Sequence, residues 1–87
     1  MRIALDYDKT FTLDPDMWVE IIQLMQGNSH EVIIVTMRYP HEEIPINIKG
    51  VNVHYTERKA KVRWCMDHGI DVNVWIDDQP YWLLNDS

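Results

Sequence analysis

The chain has 87 residues, which is enough for one domain near the small end of what buries its own core. With 46% hydrophobic residues and four tryptophans it is too apolar for a disordered chain. A net charge of −6 argues against general nucleic-acid binding, which calls for a basic surface. A small anionic substrate stays compatible with this charge, because a metal ion and a lysine can reverse the field inside a cleft.

The cysteine content and the hydropathy pattern bear on the compartment. Cys65 is the single cysteine, so an internal disulfide is excluded and a reducing compartment is expected. We interpret Cys65 as a small core residue. No stretch approaches the roughly 20 apolar residues of a membrane span, and the chain enters a strand at once without the layout of a signal peptide. These features predict a cytoplasmic protein with no membrane partner.

The first elements along the chain are a strand and a helix. Residues 2–6 begin with a short apolar run that is typical of a buried strand. Asp14 and Pro15 then mark a helix start, as N-cap and first helical residue. Apolar residues at i, i+3, i+4 and i+7 predict a helix over residues 15–26, and Gly27 ends it.

Two further strands are predicted in the middle of the chain. Residues 31–35 form a second buried run that leads directly into Thr36. Prolines punctuate residues 37–50, where residues 39–44 could form a short helix. Residues 51–55 alternate between apolar and polar and predict a third strand.

The last third of the chain repeats the helix–strand order. Thr56 is a plausible N-cap for a helix over residues 57–68, which Gly69 closes. Residues 72–76 predict the fourth strand, and residues 79–84 a terminal helix or packed turn. The alternation of strands and helices predicts a single α/β domain, a Rossmann-like three-layer parallel sheet with helices on both faces and right-handed crossovers.

Polar side chains follow three of the predicted strands. Asp6, Thr36 and Asp77 each stand at the carboxyl end of a strand, which is where parallel sheets bind their ligands. Asp8 and Asp78 add a second carboxylate to each acidic pair. Either pair alone is explained as a turn or helix cap. Two pairs at strand ends in one small domain indicate a site for a hard divalent cation such as Mg²⁺, at which four carboxylates would converge.

These motifs resemble those of the haloacid dehalogenase superfamily of phosphotransferases. The stretch Asp6-Tyr7-Asp8-Lys9-Thr10 resembles its D-x-D-x-T signature, and the other motifs follow in order over residues 2–78. The second motif is a threonine after the second strand, here Thr36. The third is a lysine at a helix start, and the fourth is a late acidic pair, here Asp77-Asp78.

The resemblance implies a Mg²⁺-dependent phosphatase. Asp6 would be the nucleophile that forms an aspartyl-phosphate, and Asp8 the acid and base. Mg²⁺ would be held by the Asp6 carboxylate, the main-chain carbonyl of Asp8, and Asp77, with Asp78 as a further ligand or neighbour of the metal. The substrate-binding groups implied are the hydroxyl of Thr36, the N–H groups of Tyr7 and Met37, and a lysine.

Two lysines compete for the last role, since Lys59 and Lys61 both lie near the start of the predicted helix. Positive charge is unfavourable there because of the helix dipole, which suggests a function for one of them. Small relatives with a Lys-x-x-x-Cys run resemble the arrangement of Lys61 and Cys65, so the resemblance favours Lys61.

The chain departs from the family pattern in two respects. Lys9 stands where many such phosphatases have glycine, and neither long connection has room for a cap domain. A capless member would accept a protruding phosphorylated small molecule or macromolecule, or would use a second copy of the chain as a lid.

Two alternatives of other classes stay open. A phosphoacceptor signalling domain also combines acids, threonine and lysine around Mg²⁺, but it carries its acidic pair early and a lone aspartate on a middle strand. A catalytically weak metal-binding assembly module of the same fold is the second alternative. No lone aspartate ends a middle strand here and Asp77-Asp78 comes last, so the motif order favours the hydrolase over the signalling domain. The intact pair Asp6 and Asp8 argues against the assembly module.

Overall fold

The computed structural model describes residues 1–87 and contains four strands and three α-helices. Their bounds are β1 (Arg2–Leu5), α1 (Pro15–Gly27), β2 (Glu31–Thr36), β3 (Asn52–Tyr55), α2 (Lys61–Asp67), β4 (Val74–Ile76) and α3 (Tyr81–Leu84), with a short 3₁₀ helix at Phe11–Leu13. All of the predicted strands are present, and the terminal segment is helical.

The four strands form one sheet in the order β3-β2-β1-β4, and every neighbouring pair is parallel. In the register of the sheet, Ala4 of β1 lies between Ile33 of β2 and Trp75 of β4. The chain moves outward from β1 in both directions, so the strand order reverses between β1 and β4. The predicted parallel sheet is confirmed, and the strands that precede the two acidic pairs lie side by side.

Helices cover both faces of the sheet, as the side-chain alternation of β1 requires. Ile3 and Leu5 are buried in one cluster with Ile22 of α1. Ala4 points the other way and is buried with Cys65 of α2. The core position of Cys65 is therefore confirmed.

The start of α1 follows the predicted capping pattern. The carboxylate of Asp14 accepts a hydrogen bond from the Met17 N–H at 3.3 Å, and Pro15 is the first helical residue. Trp18 and Met25 of the same helix pack against the core cluster of Ile3 and Leu5. Local sequence alone was sufficient to place this helix.

The prediction of a short helix over residues 39–44 is wrong, because this part of the chain forms turns. The carboxylate of Glu42 accepts the Tyr39 N–H at 2.9 Å, and the hydroxyl of Tyr55 accepts the Ile44 N–H at 3.0 Å. Side-chain acceptors thus satisfy backbone donors that a helix would have satisfied, and Pro40 lacks a donor.

The second helix was also predicted to begin too early, since α2 starts at Lys61 and Thr56 is not its N-cap. The hydroxyl of Thr56 instead donates to the Lys59 carbonyl at 2.8 Å. Glu57 and Arg58 have left-handed φ values of 55° and 69°, which an α-helix excludes. The Arg58 N–H donates to the Met37 carbonyl at 2.9 Å, so a tertiary contact fixes this turn.

No domain is inserted into the sheet. The connection from β1 to α1 contains only the 3₁₀ helix, and residues 37–51 between β2 and β3 contain no helix or strand. The carboxyl edge of the sheet is consequently open. None of the helices combines the length and the apolar character that a membrane span needs.

Candidate active site

A pocket of about 180 Å³ opens at the carboxyl edge of the sheet, and we refer to it as the strand-end pocket. It is lined by all of the residues that the sequence predicted for the site except Tyr7: Asp6, Asp8, Thr36, Met37, Lys61, Asp77 and Asp78. Residues that follow β1 and β4 thus meet residues of β2 and α2 here, although they are far apart in the sequence.

Asp6 is fixed by the sheet itself. Its N–H donates to the Ile76 carbonyl at 2.9 Å, which extends the β1–β4 ladder by one residue. The residue is only 8% exposed, and its carboxylate also accepts a hydrogen bond from the Thr10 hydroxyl at 3.1 Å. The position of this carboxylate is therefore set by the backbone of the strand that precedes it.

Lys61 joins the two acidic motifs. Its ammonium donates to Asp6 Oδ1 at 2.8 Å and to Asp77 Oδ2 at 2.6 Å. The three side chains are each less than 10% exposed, so the contacts are little screened by water. Lys59 is exposed and does not line the strand-end pocket. Of the two lysines that the sequence offered, Lys61 is the one in contact with the predicted nucleophile.

Three carboxylates converge beside this lysine. Ligand oxygens of Asp6, Asp77 and Asp78 all lie within 4.8 Å of one another. Three carboxylates against the single charge of Lys61 leave negative charge that a divalent cation would balance. Because all of these donors are oxygen atoms, the group fits a hard cation such as Mg²⁺.

Burial changes the acidity of Asp6. Loss of solvent raises the pKa of its carboxyl group to about 6, although the hydrogen bond and the charge of Lys61 oppose this effect. The negative charge of Asp77 raises the pKa further. The buried carboxylate is therefore costly to ionise without a further cation.

Hydrogen-bond donors surround the floor of the pocket. The hydroxyl oxygen of Thr36 accepts the Arg38 N–H at 3.3 Å, which leaves the hydroxyl proton free to donate elsewhere. The N–H groups of Tyr7 and Met37 donate to no acceptor in the protein. Unpaired donors beside a buried carboxylate are the groups that an anion would bind.

Comparisons with protein-family models, curated proteins and solved structures find no match to this chain. The resemblance to the haloacid dehalogenase superfamily therefore depends on the four motifs alone. In the fold these motifs follow β1 and β4, end β2 and begin α2.

Asp8 lies apart from the other carboxylates. It accepts hydrogen bonds from Arg38 Nε at 2.9 Å and Nη2 at 2.6 Å, a bidentate pair that lowers the pKa of its carboxyl group. The expectation that four carboxylates converge is thus wrong: three do, and the side chain of Asp8 is neutralised by Arg38. A role for its main-chain carbonyl at a metal stays a prediction.

The side chain of Tyr7 is turned into the protein. Its ring stacks on Phe11 with 5.7 Å between centroids, and the guanidinium of Arg38 lies 5.2 Å from the ring centre. The predicted contribution of Tyr7 was its N–H group, which this arrangement leaves unpaired.

Sequence reasoning missed three residues that line the strand-end pocket, namely Arg38, Arg58 and Gln79, whereas the other two, Lys9 and Trp82, had been noted without a role in the site. Two of them had a usable signal, because Arg38 and Arg58 shortly follow the ends of β2 and β3. The rule that placed Thr36 at the carboxyl edge applies to these arginines as well. Gln79 contributes through its backbone, since its N–H donates to Asp77 Oδ1 at 2.9 Å and orients that carboxylate.

Proposed function

We propose that this chain is a Mg²⁺-dependent phosphatase of the haloacid dehalogenase type, a phosphomonoester hydrolase that works through an aspartyl-phosphate on Asp6. The observation that carries the proposal is the buried bridge from Lys61 to both Asp6 and Asp77. This bridge joins a candidate nucleophile, a cation and a candidate metal ligand in one pocket with Thr36.

Asp6, Asp77 and Asp78 would hold the metal, since their oxygens converge. Bound Mg²⁺ would reduce the repulsion between a carboxylate nucleophile and a phosphate dianion. Lys61 contributes positive charge at the same place. Its two hydrogen bonds keep the Asp6 and Asp77 carboxylates oriented in the absence of substrate.

Asp6 attacks the phosphorus atom with a carboxylate oxygen. A bond from this oxygen to phosphorus forms while the ester bond from phosphorus to the leaving oxygen breaks, and the product is an acyl phosphate. The Thr36 hydroxyl and the N–H groups of Tyr7 and Met37 donate to the phosphoryl oxygens. Donors that are already in place stabilise the charge that these oxygens gain in the transition state.

Asp8 handles the protons. It gives one to the leaving alkoxide and then takes one from the water that hydrolyses the acyl phosphate. Arg38 stabilises the ionised form of Asp8, which is the form that the second step needs. The first step needs the protonated form of Asp8, which the contact with Arg38 disfavours.

Turnover of p-nitrophenyl phosphate with Mg²⁺ tests the proposal, followed by a panel of nucleotides, sugar phosphates and phosphorylated nucleic-acid ends. The Asp6→Asn variant should be inactive, and Asp8→Asn should lose at least about 100-fold in kcat. Asp67→Asn is the matched control, because Asp67 is exposed, lies outside the strand-end pocket and pairs only with Arg63.

A wild-type protein as inert as Asp6→Asn on the whole panel would refute the phosphatase. Incubation with Mg²⁺ and beryllium fluoride separates the remaining cases by ¹⁹F NMR. A phosphatase gives a bound fluoride signal that disappears in Asp6→Asn. A signal that persists in this variant would refute Asp6 as nucleophile. In a separate measurement of the lifetime of the phosphorylated protein, an acyl phosphate stable for hours would favour the phosphoacceptor domain.

A further inference from the structure

Half of the positively charged side chains of this acidic protein line one pocket, together with four carboxylates. The chain has a net charge of −6 and eight lysines and arginines in all. Four of these cations line the strand-end pocket, namely Lys9, Arg38, Arg58 and Lys61. Only Lys61 is buried against the candidate nucleophile. The other three stand nearer to solvent, where they face whatever extends out of the pocket.

Lys9 is the cation without a partner. Its side chain is exposed, and none of the ion pairs in the protein includes it. Its backbone is held in place, since the Lys9 N–H donates to the Thr12 hydroxyl at 3.0 Å. The ammonium therefore stands at the mouth of the pocket with all three of its donors available.

Arg58 is held in position and still has donors to spare. Its guanidinium lies 5.5 Å from the ring centre of Tyr39 and pairs with Glu42 at 3.1 Å. It also donates to the Met37 carbonyl at 3.3 Å. These contacts use the two terminal nitrogens and leave Nε free, so an anion can bind to a guanidinium that is already ordered.

We propose that the natural substrate carries a second anionic group, a carboxylate or a phosphate, on its leaving-group side, and that Lys9 and Arg58 bind this group. The inference rests on the phosphatase function proposed above. The phosphoryl group occupies the floor beside Asp6 and Lys61, so the leaving group extends toward the mouth. There a second anion meets the ammonium of Lys9, which has no ion-pair partner, and the free Nε of Arg58, whose terminal nitrogen pairs with Glu42.

Lys9 also offers a variant that removes the charge without disturbing the backbone. Its φ is 61°, in the left-handed region, which glycine adopts at no steric cost. Lys9→Gly therefore deletes the ammonium and keeps the turn. Arg58→Gln is the second variant, and Lys49→Gln is the matched control, because Lys49 is exposed and lies outside the pocket. Arg38 is unsuitable, because its replacement would also release Asp8.

Two pairs of synthetic esters measure the effect. Benzyl phosphate and 4-carboxybenzyl phosphate differ by a carboxylate. 4-Hydroxybutyl phosphate and butane-1,4-diol bisphosphate differ by a phosphate. The readout is the ratio of kcat/KM within each pair, so that a general loss of activity cancels. In at least one pair we expect the wild type and Lys49→Gln to prefer the ester with the second anionic group by about tenfold. The pair that shows this preference identifies the anion that is bound.

In Lys9→Gly and Arg58→Gln the ratio of kcat/KM within the pair that shows the preference should fall to within about threefold of one. Equal kcat/KM values for both members of both pairs in the wild type would overturn the inference and leave the phosphatase standing. A preference that survives in both variants would overturn the assigned residues. Wild-type protein that hydrolyses none of the four esters above the rate of Asp6→Asn would overturn the inference, and inertness on the whole substrate panel as well would overturn the phosphatase.

Discussion

Lys61 Nζ lies 2.8 Å from Asp6 Oδ1, so the first residue of α2 contacts the residue that follows β1. The same ammonium reaches Asp77 after β4. One buried side chain thus connects three elements of the fold at the place where the candidate chemistry occurs, and its loss should affect both stability and activity.

We expect Lys61→Met to lower the free energy of unfolding by about 3 kcal/mol in the presence of a chelator. The substitution leaves the carboxylates of Asp6 and Asp77 close together without a counter-charge. Urea unfolding measures the change, and Lys59→Met is the control, expected within about 0.5 kcal/mol of wild type. Equal stability of the two variants would show that the bridge contributes nothing.

Metal binding should stabilise the folded chain. Because folding assembles the group of Asp6, Asp77 and Asp78, Mg²⁺ should raise the free energy of unfolding by about 2.7 kcal/mol at 100 times its Kd. Asp77→Asn and Asp78→Asn should reduce this gain, whereas the exposed Asp67→Asn should keep it. The measurement is urea unfolding with MgCl₂ and with NaCl at equal ionic strength. Equal stabilisation by both salts would exclude a specific site.

Cys65 should make stability depend on pH in the alkaline range. Burial raises the pKa of its thiol from 9.0 to about 11, so the folded state disfavours the thiolate. This contribution is complete below pH 9 and is lost as the pH rises toward 11. The stability of wild type relative to Cys65→Ala should therefore fall by about 2 kcal/mol between pH 8 and 11. A difference that does not vary with pH would contradict the prediction.

Asp86 should support the start of α2. Its carboxylate accepts the Ala60 N–H at 2.7 Å, where Ala60 itself has no capping side chain. We expect Asp86→Ala to cost about 1 kcal/mol, as the loss of an N-cap does. Amide hydrogen exchange should quicken at residues 61–64, and Asp16→Ala on α1 should leave these amides unchanged. Unchanged exchange in Asp86→Ala would refute the capping role.

Much of the fold could be predicted because local patterns determine it. The apolar runs of β1 and β2 and the Asp14-Pro15 start of α1 need no tertiary information. The contact between the motifs of Asp6 and Asp77 followed from the parallel sheet, since strand ends share one edge. That β1 and β4 are neighbours is known from the fold, because the sequence left the strand order open.

The remaining features depend on contacts between distant residues. α2 begins late because the Arg58 N–H binds the Met37 carbonyl, which fixes a left-handed turn that no local signal predicts. The carboxylate of Asp8 does not join those of Asp77 and Asp78, because Arg38 binds both of its oxygens. The two residues of this ion pair are thirty positions apart in the sequence. Ion pairs of this kind are decided by geometry after folding, so a sequence pattern does not reveal them.

The order β3-β2-β1-β4 has a consequence for how the protein forms. Within the domain Asp6 is made well before its neighbour Asp77, because β4 follows the other three strands in chain order. Because parallel pairing of β1 with β4 closes a loop of most of the chain, this step is intrinsically slow. Until then the nascent chain exposes one side of β1, an edge that invites pairing with other chains. Acquisition of the site and protection from aggregation are therefore the same late folding event.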